Sequence, residues 1–114
     1  MIVSRHYQPT SHFTKKLKHL RKADPKSYGR IQKTIERLLL EPERADGRMV
    51  GLYHGKLKKY VGRRDYRIIY YWCDLCLKES KKYHCGVIPD NSVIFFDIYH
   101  KKDKKKIQRN SPIQ

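Results

Sequence analysis

The spacing of apolar residues along this chain changes period twice, from alternation to helical recurrence and back to alternation. The opening run "IVSRHY" has the alternating, β-branched character of a short strand, and Pro9 closes it because proline cannot donate to a ladder. From there Phe13, Leu17 and Leu20 recur at four- and three-residue intervals, which puts them on one face of a helix. Ser11 is the expected N-cap, and Lys15, Lys16, Lys18 and Lys22 cover the outside. A second helix is predicted within "ADPKSYGRIQKTIERLLLEP", with Asp24 as cap, Pro25 at the first helical position and Pro42 as terminator. Tyr28, Ile31, Ile35, Leu38 and Leu39 form its apolar stripe, so the two helices make a hairpin that needs a sheet to cover.

After a Gly-containing connection over 43–51, three strand-like runs follow: "KLKKYVGR", "YRIIYYWC" and "SVIFFDIYH". Arg64 and Asp65 are the predicted two-residue turn between the first two. Alternation sets Arg67, Ile69 and Tyr71 on one face of the middle run, and Tyr66, Ile68, Tyr70 and Trp72 on the other. The second set is the expected helix-facing side. The fold class that emerges is α+β: an N-terminal strand and a two-helix hairpin packed on an antiparallel sheet of about four strands.

Charge changes the picture. Twenty-seven Lys and Arg against eleven Asp and Glu give a net charge of +16 on 114 residues, a length suited to one domain spanning 1–114. Such a chain repels itself when compact unless a polyanion or an acidic protein neutralises it, so nucleic acid heads the expected partners. No apolar run approaches the roughly 20 residues of a membrane span, and the start lacks a leader pattern, so a cytoplasmic location without membrane association is expected.

The run "GKLKKYVGRRDYRIIYYW" carries its cations straight into a strand fit for the middle of a sheet. Together with "FDIYHKKD" at the end of the last strand-like run, and with the order of elements, it resembles the RelE/ParE superfamily of toxins from toxin–antitoxin pairs. The resemblance covers most of the chain. It implies helices on one face of the sheet and a basic concave face on the other, where Arg67 would point away from the core. It also implies an acidic antitoxin as partner in a hetero-oligomer, and one of two targets. RelE-like members cut messenger RNA on the ribosome without a metal, whereas ParE-like members inhibit DNA gyrase with no enzymatic activity. A basic RNA-binding module with no cleavage is the third reading.

Metal-free RNA cleavage needs a base for the ribose 2′-hydroxyl, cations for the dianionic phosphorane and an acid for the departing 5′-oxygen. A guanidinium fork matches two phosphate oxygens at once, so Arg67 is the expected clamp. The resemblance places Lys58 beside it as clamp and base, and His100 with Lys101 as further catalytic candidates. Lys56, Lys59, Arg63, Arg64, Tyr99 and Lys102 are the expected RNA contacts. Lys101 stands where the family carries arginine, and no tyrosine follows the pair, although RelE-like enzymes often have one there. Tyr99, Tyr60 and Tyr71 are the candidates to stack on a base or serve in its stead, against the commoner use of strand aromatics in cross-strand packing.

Residues 73–91 form a Cys-containing insertion between the last two strand-like runs, and a basic tail begins at 101. Cys73-x2-Cys76 with His84 and Cys85 resembles the start of a structural zinc site, but adjacent His84 and Cys85 face opposite ways in extended chain. The expectation is therefore no cofactor, with a hairpin-stapling zinc as the alternative.

Overall fold

The computed structural model describes residues 5–62, 65–72 and 92–103. Arg63, Arg64, the whole 73–91 insertion with Cys73, Cys76, His84 and Cys85, and the tail beyond 103 lie outside the described residues. The element order is β1 (His6–Pro9), α1 (Ser11–Ala23), α2 (Pro25–Leu40), β2 (Gly47–Arg48), β3 (Leu57–Val61), β4 (Tyr66–Trp72) and β5 (Ser92–His100), with short 3₁₀ turns at Gly51–Tyr53 and Lys101–Asp103.

Local chemistry explains the helix boundaries. Thr10, rather than Ser11, caps α1: its Oγ1 accepts from the Phe13 N–H at 3.1 Å, while Ser11 is already helical. Asp24 caps α2 by accepting from the Ser27 N–H at 3.3 Å, and Pro25 follows at the first helical position. The apolar stripes meet the sheet as their spacing predicts, with Phe13 and Leu17 from α1 and Ile31, Ile35 and Leu38 from α2 in the core.

The sheet order is β1-β5-β4-β3-β2. Among the described residues it has five strands rather than four, and it is mixed rather than wholly antiparallel because β1 pairs parallel with β5. The helix hairpin carries the chain from the β1 edge toward the opposite one, where Gly47–Arg48 add a two-residue strand too short to show as alternation. β3 and β4 join through four residues rather than two, since Val61 pairs with Tyr66 and Gly62 takes φ +60. A glycine fits there because the left-handed conformation is strained for residues with a Cβ.

Tyr66, Ile68 and Tyr70 face the helices, in register with Val61, Lys59 and Leu57 of β3. The opposite face of β4 is also apolar for part of its length: Ile69 and Tyr71 are as fully buried as Ile68. The connection before β3 returns toward this face, with Tyr53 donating to Asp97 at 2.8 Å and the Tyr99 hydroxyl reaching the Met49 Sδ at 3.8 Å. A bulge in the β4–β5 ladder leaves Phe96 as the extra residue between Phe95, opposite Tyr70, and Asp97, opposite Ile69. Among the described residues no helix is long and apolar enough to cross a membrane.

Candidate functional site

The sheet face turned away from the helices carries Lys58 and Tyr60 on β3, Arg67 on β4 and Tyr99 on β5. The register places them together: Tyr60 is the cross-strand partner of Arg67 and Arg67 that of Tyr99. Lys58 lies two residues before Tyr60 and so shares its face. The Arg67 guanidinium carbon sits 5.0 Å from the centre of the Tyr60 ring, and the Lys58 Nζ lies 5.7 Å from it. Tyr60 is thus bracketed by two cations.

Both neighbours act on the Tyr60 phenol. Desolvation raises its pKa, but attraction and hydrogen bonding from Lys58 and then Arg67 outweigh it, and the net shift is downward. Tyr99 moves the other way: burial raises it, against the opposing pull of Arg67. Among the described residues, Arg67 Nη1 is a buried donor with no hydrogen-bond partner. A buried guanidinium N–H left unpaired costs free energy that an anion docking on this face would recover.

Two residues that the pattern of the chain does not single out hold this strand in place. Asp46 accepts from the Tyr60 backbone N–H at 2.8 Å and pairs with the Lys59 ammonium at 3.6 Å, pinning β3 from its outer side. Gly47 faces Lys58 across the β2–β3 ladder, and a Cβ there would lie 3.0 Å from the Lys58 Cε, so the missing side chain leaves room for the lysine. An acidic residue followed by glycine in a basic stretch is the signal, visible only once β2 is known to pair.

The structure does not bring all the sequence candidates together. Lys59 is on the helix side, paired with Asp46 and opposite Ile68. His100 also faces the helices: it pairs with Tyr66, their rings meeting edge to face at 5.0 Å and 88°. Its Nδ1 accepts from the Lys102 N–H at 3.1 Å. Lys101 is tied to Asp65, by its N–H at 2.7 Å and its ammonium at 3.4 Å. Lys56 caps the Phe96 ring at 4.7 Å. One residue of register separates Tyr99 from His100, and it sends them to opposite faces.

A cleft of about 590 Å³ opens on the helix side between α1 and the end of β5, lined among others by Lys15, Lys16, His19, Tyr66 and His100. It holds neither Lys58 nor Arg67. Near it, buried Asp97 gathers Lys16 at 2.7 Å, His12 at 3.1 Å, the Tyr53 hydroxyl at 2.8 Å and the Ile98 N–H at 2.7 Å. Asp97 lies on β5 beyond the end of β1, whose pairing stops at Phe95, so the edge is open to α1.

A helix hairpin packed on one face of a mixed sheet in this order is a RelE-like fold. The toxin–antitoxin complex RelBE2 from Mycobacterium tuberculosis is a solved structure of similar fold, at a TM-score of 0.60 and 17% identity, covering 90% of this chain and 98% of that one. No protein-family model matches the chain, and no curated protein does.

Proposed function

We propose that this chain is the toxin of a toxin–antitoxin pair, and that it cleaves messenger RNA on the ribosome without a metal. The observation that carries the reading is Arg67: a guanidinium on the sheet face free of helices, with a buried N–H that has no partner among the described residues. In this reading Arg67 clamps the scissile phosphate, Lys58 supplies a second cation to the developing dianion, and Tyr99 borders the site. Arg63 and Arg64, by their place between β3 and β4, would contact the RNA backbone. Lys59, His100 and Lys101 act outside the phosphate site.

An acidic antitoxin fits the charge of +16, which a partner of opposite sign would relieve while slowing nuclease action. The fold's likeness to the toxin–antitoxin complex RelBE2 supports a partner of that kind. The place of action is the cytoplasm, where the ribosomes are.

The test is expression of wild type, Arg67→Ala and, as control, the exposed helix variant Lys33→Ala, with primer extension on translated messages and thermal melts for folding. Losing one preorganised cation at a developing oxyanion typically costs about 100- to 1,000-fold in rate. Arg67→Ala is expected to stop message cleavage and growth inhibition with its melt unchanged, whereas Lys33→Ala does neither. Intact messages beside altered plasmid supercoiling would replace this reading with gyrase inhibition.

A further inference from the structure

Glycine is a poor strand residue, because it forfeits backbone entropy and offers no side chain to pack, so a glycine inside a ladder often marks a close approach. Gly47 is such a residue, paired with Lys58 across β2 and β3. Among the described glycines Gly51, Gly55 and Gly62 take a positive φ and Gly47 does not, so its backbone does not call for glycine. The space it leaves is what the neighbouring strand uses. A Cβ at position 47 would lie 3.0 Å from the Lys58 Cε and 3.9 Å from both its Cγ and its Nζ, so the lysine stem runs across the glycine. By contrast, nothing comes within 4 Å of a Cβ at Gly29 or Gly55.

The carboxylate next to Gly47 is directed elsewhere. Asp46 accepts from the Tyr60 N–H at 2.8 Å and pairs with Lys59 at 3.6 Å on the helix side. Position 47 therefore presents neither bulk nor charge to the open face. There Lys58 lies with its Nζ 5.7 Å from the centre of the Tyr60 ring, and Tyr60 stands opposite Arg67. Lysine carries its charge on a flexible four-carbon stem, and an ammonium that wanders stabilises a developing charge less well than one already in place. A trough that fits the stem narrows that freedom before any substrate arrives.

We propose that Gly47 is the positioning residue of Lys58: the side chain it lacks is the berth of the lysine stem, and that berth keeps the ammonium on the open face beside Tyr60 and Arg67. The placement follows from the geometry of the β2–β3 ladder, and its consequence for cleavage rests on the nuclease reading above. A methyl group at position 47 makes the stem give by a few tenths of an ångström, and a branched side chain fills the berth. Moving a reacting group by about 1 Å can cost on the order of 100-fold in rate. Gly47 touches neither phosphate nor ribose in this scheme, and acts on the reaction only through the lysine across the ladder.

Gly47→Val separates positioning from support, because valine is a better strand residue than glycine and is expected to leave the melt unchanged or raise it. In purified programmed ribosomes its expected effect is a loss of about 10- to 100-fold in kcat, with KM within about threefold of wild type. Gly47→Val combined with Lys58→Ala is expected to cleave no more slowly than Lys58→Ala alone, since a residue that acts through Lys58 then has nothing to position. A readout apart from activity is the Tyr60 phenol, which Lys58 helps to hold low and which carbon-13 NMR follows in tyrosine-labelled protein. Gly47→Val and Lys58→Ala are each expected to move its titration upward. An unmoved titration in either variant overturns the placement, whatever the cleavage assay gives. Additive losses in the double variant overturn the positioning role, as does cleavage by Gly47→Val at the wild-type rate while Lys58→Ala is impaired. A wild type that cleaves nothing removes the nuclease reading, and the titration then decides the placement alone. Should Gly47→Val lower the melt, Gly47→Ala carries the same comparisons with a smaller expected loss.

Discussion

Tyr70 and Tyr60 sit on adjacent strands of one sheet, facing opposite ways, and their surroundings differ. Tyr70 is fully buried beneath the helices and donates at 2.6 Å to the carbonyl of Pro42, so its hydroxyl ties the end of α2 to the sheet. Tyr60 lies on the other face with Lys58 and Arg67 acting on its oxygen. Burial raises the Tyr70 phenol, with Asp46 and Glu43 adding to it, whereas the two cations bring the Tyr60 phenol down. One residue type thus has a raised phenol that donates to backbone on one face and a lowered phenol between two cations on the other. The difference comes from neighbours rather than from the strand, whose alternation is the same on both sides.

The comparison breaks hardest at Asp97, which joins the edge of β5 to α1 through Lys16 and His12 and to the Tyr53 loop. Asp97→Ala leaves the part-buried Tyr53 hydroxyl and the buried Ile98 N–H without their acceptor. Lys16 keeps access to water, which holds the cost below that of a fully buried pair, at about 2–3 kcal/mol. A guanidinium chloride titration checks this, and loosening the Tyr53 loop is expected to weaken the open face as well.

Tyr70→Phe comes next, at about 1–2 kcal/mol of stability for the lost bond to a buried carbonyl, with message cleavage unchanged. The pH dependence sharpens the point. A folded-state phenol raised above its ordinary 10.0 contributes stability that is full below pH 10 and is lost as pH climbs toward the folded-state value. Melts of wild type are therefore expected to fall above pH 10, and less steeply in Tyr70→Phe. Tyr60 carries the opposite sign: its lowered phenol loses its proton first in the folded state, so its contribution grows as pH rises toward 10.

The smallest effect is expected at His100. Its edge-to-face contact with Tyr66 is worth about 1 kcal/mol beyond area burial. His100→Ala is expected to lower stability by that amount, read in a denaturant titration, and to leave cleavage within about threefold of wild type, because the side chain faces the helices. A collapse of cleavage with an unchanged melt would move the reaction from the Arg67 face to the cleft beside α1.

Much of the fold was legible along the chain because its signals are local. Asp24 with Pro25 announces the start of α2, and the spacing of Ile31, Ile35 and Leu38 announces its buried face. The three main strands fall where alternation puts them, and Arg67 could be assigned to the face opposite Ile68 from parity alone. What escaped were features too short or too distant to leave a period. β2 has two residues, and the parallel pairing of β1 with β5 joins segments more than eighty residues apart. The candidate site was half legible for the same reason. Lys58 and Arg67 share a face by strand parity, but Lys59 and His100 each miss it by one residue.

The sequence by itself determined which segments become helices and strands, which stripe of each is apolar, and that the protein carries a large positive charge to be neutralised. These follow from backbone propensity and side-chain period, which act over a few residues. Tertiary structure alone decided which cations meet. It set Arg67 over Tyr60, turned Lys59 toward Asp46 and His100 toward Tyr66, and enclosed Asp97 between α1 and the Tyr53 loop. A phenol's acidity depends on charges within a few ångströms, and residues that distant in sequence become that near only when the strands pair.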